Sequence, residues 1–135
     1  MPELFQLTNF EDVALLALRL TLAAVFLFHG DQKLHYWKMH HNAKLSIAWL
    51  ALWRTLSVVE ILAGASMLTG AFTKIGALCI MAVMLGALYF KVKVWKKGFS
   101  GDNGWEFDLI LFASALAVFI MGGGAYSIDW QIFGL

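Results

Sequence analysis

Two residues of opposite charge, Arg19 and Glu60, stand inside stretches that are otherwise almost wholly apolar, ALLALRLTLAAVF and LSVVEILAGA. A charge placed alone in hydrocarbon costs at least about 2.5–3.5 kcal/mol on insertion scales, so such groups turn inward, where they pair or bind something. At a rise of about 1.5 Å per residue, Arg19 is expected roughly 9 Å inside the outer end of a first helix, and Glu60 roughly 13 Å inside that of a second. They are therefore expected to pair. Such a pair can lock helix packing, bind a ligand, or do both.

A second polar group is expected near the opposite boundary. His29 and Lys33 are four residues apart and share a helix face, and Arg19 lies within about 80° of both on the helical wheel. With Arg54 they are expected to meet the start of a fourth helix carrying Glu106 and Asp108. The imidazole of His29, between Phe28 and Gly30, can hydrogen-bond a carbonyl-bearing ligand or another helix. His29, Lys33, Glu60 and Glu106 are the ligand-binding or proton-handling candidates, and Arg19 with Glu60 the buried ion pair. Solvation at the interface is the ordinary reading of Lys33 and Asp108.

Other chemistries lack their residues. The one cysteine, Cys79, lies among Ile and Met residues and cannot form an internal disulfide or a two-cysteine relay. His35, His40 and His41 crowd one loop, yet their spacing fits no strong metal-ligand pattern, and no metal is expected. Haem held by two histidines is not expected, because only His29 falls in a span. No phosphate loop or Ser-His-Asp order is present, and no nucleic-acid partner is expected for a chain of net charge +1.

The elements that must position these groups follow from hydropathy. With 61% hydrophobic and 14% charged residues, the chain needs lipid over much of its surface. Four apolar stretches, about 13–34, 45–69, 74–96 and 105–122, lack strand-like alternation and predict one all-α domain, a transmembrane bundle of four helices. Thr8 to Glu11 reads as a capping box, Asn42 as the cap of the second helix, and Asn103 with Glu106 as that of the fourth. Gly70 is expected to end the second helix, and Gly98 to mark the end of the third. Lys33, Lys38, Lys44 and Arg54 flank the first connection, and Lys91, Lys93, Lys96 and Lys97 the third, whereas the opposite side has Lys74. The positive-inside rule then puts both termini outside the cytoplasm, and the acidic start argues against a cleaved signal peptide.

Read together, Arg19, FLFHGDQKL at 26–34, VVEILAGASMLTGAFTKIGAL at 58–78, GFSGDNGWEFDLILFASALA at 98–117 and GGGAYSIDW at 122–130 resemble the DoxX family of small four-helix membrane proteins. The resemblance maps the family arginine onto Arg19, its His-Gly-x-x-Lys-Leu onto His29, Gly30, Lys33 and Leu34, and its glutamates onto Glu60 and Glu106. Many relatives carry a histidine shortly before the Gly-Phe of the third loop, where this chain has Lys93-Val94-Trp95-Lys96-Lys97. The family is linked to membrane redox systems, including the membrane subunit of a thiosulfate:quinone oxidoreductase. The resemblance thus implies a bacterial inner-membrane subunit that binds a quinone-like or other small lipophilic molecule and serves a soluble or membrane oxidoreductase partner. The alternative is a non-catalytic scaffold or assembly helper whose buried polar residues serve packing alone.

Overall fold

Every regular element in the computed structural model, which describes residues 8–134, is helical. Helix α1 covers Thr8–Gln32 and leads through a 3-10 turn, Leu34–Trp37, into α2, Ile47–Thr69. Helix α3 covers Thr73–Tyr89 and runs on into a π-helical turn, Phe90–Val94. Helix α4, Glu106–Met121, and a short α5, Ile128–Phe133, complete the chain. The chain is an all-α membrane protein.

Three of these segments, Phe10–Trp37, Ile47–Thr69 and Thr73–Val94, are long and apolar enough to cross a bilayer. Helix α4 is equally apolar but has 16 residues, about 24 Å, against a hydrocarbon core of about 30 Å. It packs on α3 and α1 and completes the bundle. Large apolar side chains such as Ile75, Leu85, Ile110 and Ile120 face outward, where lipid must cover them.

Lipid is as apolar as leucine, so no expulsion of water drives these helices together, and close packing must do so instead. Two glycines show how. A methyl group on Gly30 would lie 2.6 Å from Ile61 Cγ1 and 3.0 Å from the Ile61 amide nitrogen, and one on Gly64 would lie 3.0 Å from the Leu27 amide nitrogen. Helices α1 and α2 therefore touch backbone to backbone. The interior behind them is filled by Leu22, Phe26, Met67, Ile80, Leu111 and Val118.

Helix ends are satisfied partly by unexpected partners. Gly70, at φ 72°, closes α2 by donating its amide to the Ser66 carbonyl at 2.8 Å. The Asp129 carboxylate, brought from α5, caps α3 by accepting the amides of Phe72 at 2.8 Å and Thr73 at 2.7 Å. Ser46, not Asn42, caps α2, its hydroxyl accepting the Trp49 amide at 3.3 Å. Asn42 instead turns the preceding loop, accepting the amides of Lys44 and Leu45. Trp105 precedes α4 with no side-chain cap, because Asn103 is held at φ 61° within the turn. The side chain of Thr8, and with it the expected capping box, lies outside the described residues.

Candidate ligand-binding site

Arg19 and Glu60 do not pair. Arg19 is 1% exposed, and its guanidinium donates to three backbone carbonyls: Met67 at 3.1 Å, Gly123 at 2.9 Å and Tyr126 at 3.2 Å. Met67 lies about two turns, roughly 10 Å, beyond Glu60 along α2. The mismatch arises because α1 already is helical at Thr8 and overhangs the α2–α3 turn, so that Asp12 accepts the Ala125 amide at 2.8 Å. Arg19 therefore meets the ends of its neighbours and not their middles. Its planar fork suits this role, since it can satisfy several carbonyls left open at helix ends. Nearby Asp129 feels opposing effects: burial alone would raise its pKa, but the amides of Thr73 and Phe72 and the Arg19 charge hold it below the usual aspartate range.

Glu60, 3% exposed, instead meets Lys33 at 2.7 Å. The Lys33 ammonium also donates to the His29 carbonyl at 3.2 Å and sits 5.9 Å from the center of the Trp53 ring. Lys33 is therefore turned inward, against the interfacial reading of it. The close approach at Gly30 makes this possible, because it sets α1 against the stretch of α2 that carries Glu60.

A second ion pair stands across the bundle. Lys91 meets Asp108 at 2.6 Å and donates to the Gly104 carbonyl at 3.3 Å. Asp108 is 6% exposed and belongs to the buried stripe Asp108, Leu111, Ala115 and Val118 of α4. Glu106, two residues earlier, points about 200° away from it at 100° per residue. It is half-buried and does not line the site. Asp108 thus takes the place expected of Glu106. Lys91 lies in the π turn, where the Trp95 amide reaches the Phe90 carbonyl at 2.8 Å and the extra residue re-aims the helix.

Between the two pairs lies a cavity of about 540 Å³ whose wall includes His29, Lys33, Glu60, Lys91 and Asp108. Its apolar wall comes from α2, α3 and the π turn with the residue after it, which supply Trp49 and Trp53, and Phe90 and Trp95, as aromatic members. His29 stands in the field of all four charges. The connection after α1 covers this end: Tyr36 stacks on Trp53 at 5.5 Å, and Trp37 donates its indole N–H to Ser57 at 2.9 Å. Arg54 ties down that connection through the carbonyls of Tyr36 and Met39 and does not join the charged cluster. Among the described residues no three His, Cys, Asp or Glu side chains gather as a metal site.

The family model described as DoxX matches residues 14–94, the stretch that contains Arg19, His29, Lys33, Glu60 and Lys91. The chain belongs to the DoxX family. That match takes in α2, α3 and α1 from its second turn onward, whereas Asp108 and Glu106 lie beyond it. No curated protein and no solved structure matches the chain.

Proposed function

We propose that this DoxX-family membrane protein is a subunit of a redox system and binds a quinone-like or other small lipophilic molecule in the cavity between its two ion pairs. The supporting observation is the cavity's composition: about 540 Å³ of space, aromatic rings in its wall, and the charged groups of both ion pairs in its lining. A ring with polar oxygens suits such a place, since the tryptophans offer faces for stacking and the ammonium groups offer donors. Glu60 and Asp108 balance Lys33 and Lys91, so the site carries no net charge that would repel a neutral ligand.

A quinone bound there would supply electron-and-proton chemistry, with electrons exchanged through a soluble or membrane oxidoreductase partner. The chain's own residues would bind and position it. Lys33 and Lys91 donate hydrogen bonds to ring oxygens, and Glu60 and Asp108 hold those ammonium groups in place. His29 accepts or delivers a proton at the same position. By the positive-inside rule, the lysines around the first and third connections support an orientation with this end of the bundle toward the cytoplasm and both termini outside, and the family resemblance supports a bacterial inner membrane.

The test is mass spectrometry of lipophilic molecules that co-purify with the wild-type protein and with folded Glu60→Gln and His29→Ala variants. A specific molecule kept by the wild type and lost by either variant is expected. Bulk lipid alone in all samples would overturn the binding reading. It would favour the scaffold reading, for which the Arg19 carbonyl network is the structural observation: there a buried charge serves packing only. On that reading Arg19→Ala and Glu60→Ala both lower abundance, and no variant loses an activity while staying folded.

A further inference from the structure

A second hollow, of about 470 Å³, adjoins the charged cavity and runs along the seam between α2 and α3 toward the Gly70 turn. Val59 and Cys79 border both. The two hollows differ sharply in chemistry. Polar side chains along the seam are already satisfied within the chain, with Ser66 donating to the Ala71 carbonyl at 2.7 Å and Thr69 to the Ala65 carbonyl at 2.9 Å. The seam therefore offers a ligand only hydrocarbon contact, while Lys33, Glu60, Lys91 and Asp108 line the charged cavity on the other side of Val59 and Cys79. On α2 the two hollows together extend from Trp49 to Thr69, about 30 Å, which is close to the thickness of the hydrocarbon core.

We infer that the site takes a long-chain amphiphile, with its polar head between the ion pairs and its chain lying in the α2–α3 seam past Cys79. This rests on the proposed reading of the charged cavity as a binding site, and adds the ligand's shape and path. A helix from a second copy could cover the seam, but it could not reach Glu60 and Asp108, which are 3% and 6% exposed. A thin chain ending in a small head fits both hollows. A chain already dissolved in lipid gains little from leaving it, so the seam contributes orientation and packing more than affinity. A chain held parallel to α2 and α3 delivers its head to Lys33 and Lys91. Access is sideways from the bilayer, since Leu62 and Ile75, both exposed, flank the seam.

The test uses a benzoquinone carrying a decyl chain that ends in a photoactivatable diazirine, added to the protein in phosphatidylcholine nanodiscs. Quenching of tryptophan fluorescence reports the head, because Trp49, Trp53 and Trp95 line the charged cavity. The cross-linked residues report the chain. Cross-links concentrated on 62–76 and competed by unlabelled decyl benzoquinone are expected. Ala65→Trp and Leu62→Trp fill the seam from partly or fully exposed positions. Each is expected to lower those cross-links about tenfold, equivalent to 1.4 kcal/mol, while quenching by a tailless benzoquinone persists. Quenching with cross-links spread over other lipid-facing residues, such as Ile110 and Ile120, would overturn the inference and leave the binding reading standing. Cross-links between two copies across the seam, formed in a parallel reaction by photo-leucine built in at position 62, would overturn it in favour of a second copy. Absence of quenching by either quinone would overturn both.

Discussion

The pair Lys33–Glu60 is the sharpest point at which to break this structure. At 2.7 Å the Coulomb attraction of two unit charges is about 6 kcal/mol for an effective dielectric constant near 20. Desolvation offsets much of that, and the consequence that survives is the penalty for leaving one partner behind, about 3–5 kcal/mol for a buried pair. The two single variants should not cost the same. Lys33→Met strands a carboxylate that is 3% exposed and has no other hydrogen-bond partner among the described residues. Glu60→Gln leaves an ammonium that is 16% exposed, still bonded to the His29 carbonyl, and long enough to turn toward the interface. Lys33→Met is therefore expected to be the more damaging, and the double variant to cost about 2–3 kcal/mol less than the sum of the singles. Reversible unfolding of the four proteins in mixed detergent micelles, followed by helical circular dichroism, gives the cycle. Additivity within about 0.5 kcal/mol, or a Glu60→Gln variant that is the less stable of the two, would refute the pairing and the asymmetry argued from burial.

Three further outcomes are expected. Arg19→Met leaves the carbonyls of Met67, Gly123 and Tyr126 without their donor and should cost at least about 3 kcal/mol; Arg19→Lys should recover only part, as measured by unfolding and by proteolysis of residues 122–134. Asp129 has a lowered pKa in the folded chain, so its contribution is present above the unfolded value near 3.8 and fades as pH falls below about 4. Asp129→Ala should lose about 1 kcal/mol at pH 7 and show a smaller acid-induced loss than wild type in parallel melts. Gly30→Val would drive a methyl group into Ile61 and should cost about 1–3 kcal/mol. It should also abolish the Lys33–Glu60 coupling in the same cycle, because the helices that present those residues can no longer approach.

The bundle was legible in the sequence because hydropathy records where lipid must be, and the four apolar stretches correspond to α1 to α4. Partner choice was harder to read. Depth along α1 depends on where that helix starts, and counting from the first apolar residues, near Val13, misses the overhang that carries Arg19 up to Met67. Asp108 could have been found: it falls in phase with Leu111, Ala115 and Val118, and Glu106 cannot share that face. Lys91 could not be read in this way. Its inward turn depends on the π turn at Phe90–Val94, and no simple periodicity announces an added residue in a helix. The cap of α3 was hidden for another reason, since Asp129 is 57 residues from the Phe72 amide it accepts.

The two ends of the bundle use buried charge in opposite ways. At the end near the α2–α3 turn, Arg19 is bonded, among the described residues, only to backbone carbonyls, which are fixed by the chain's path. Any molecule that displaced them would have to open the α2–α3 turn and the segment after α4. At the other end, the four charges that line the cavity are met by side chains in two pairs, and both pairs border open volume. A side-chain pair can rotate apart and accept a ligand atom between its members with the backbone unchanged, so exchange does not require the helices to open. Burial alone would rank Arg19 first among the charged residues, at 1% exposed. On the proposed reading the freedom of the partner reverses that order: Arg19 holds the fold, whereas Lys33, Glu60, Lys91 and Asp108 are the groups free to respond to a bound molecule.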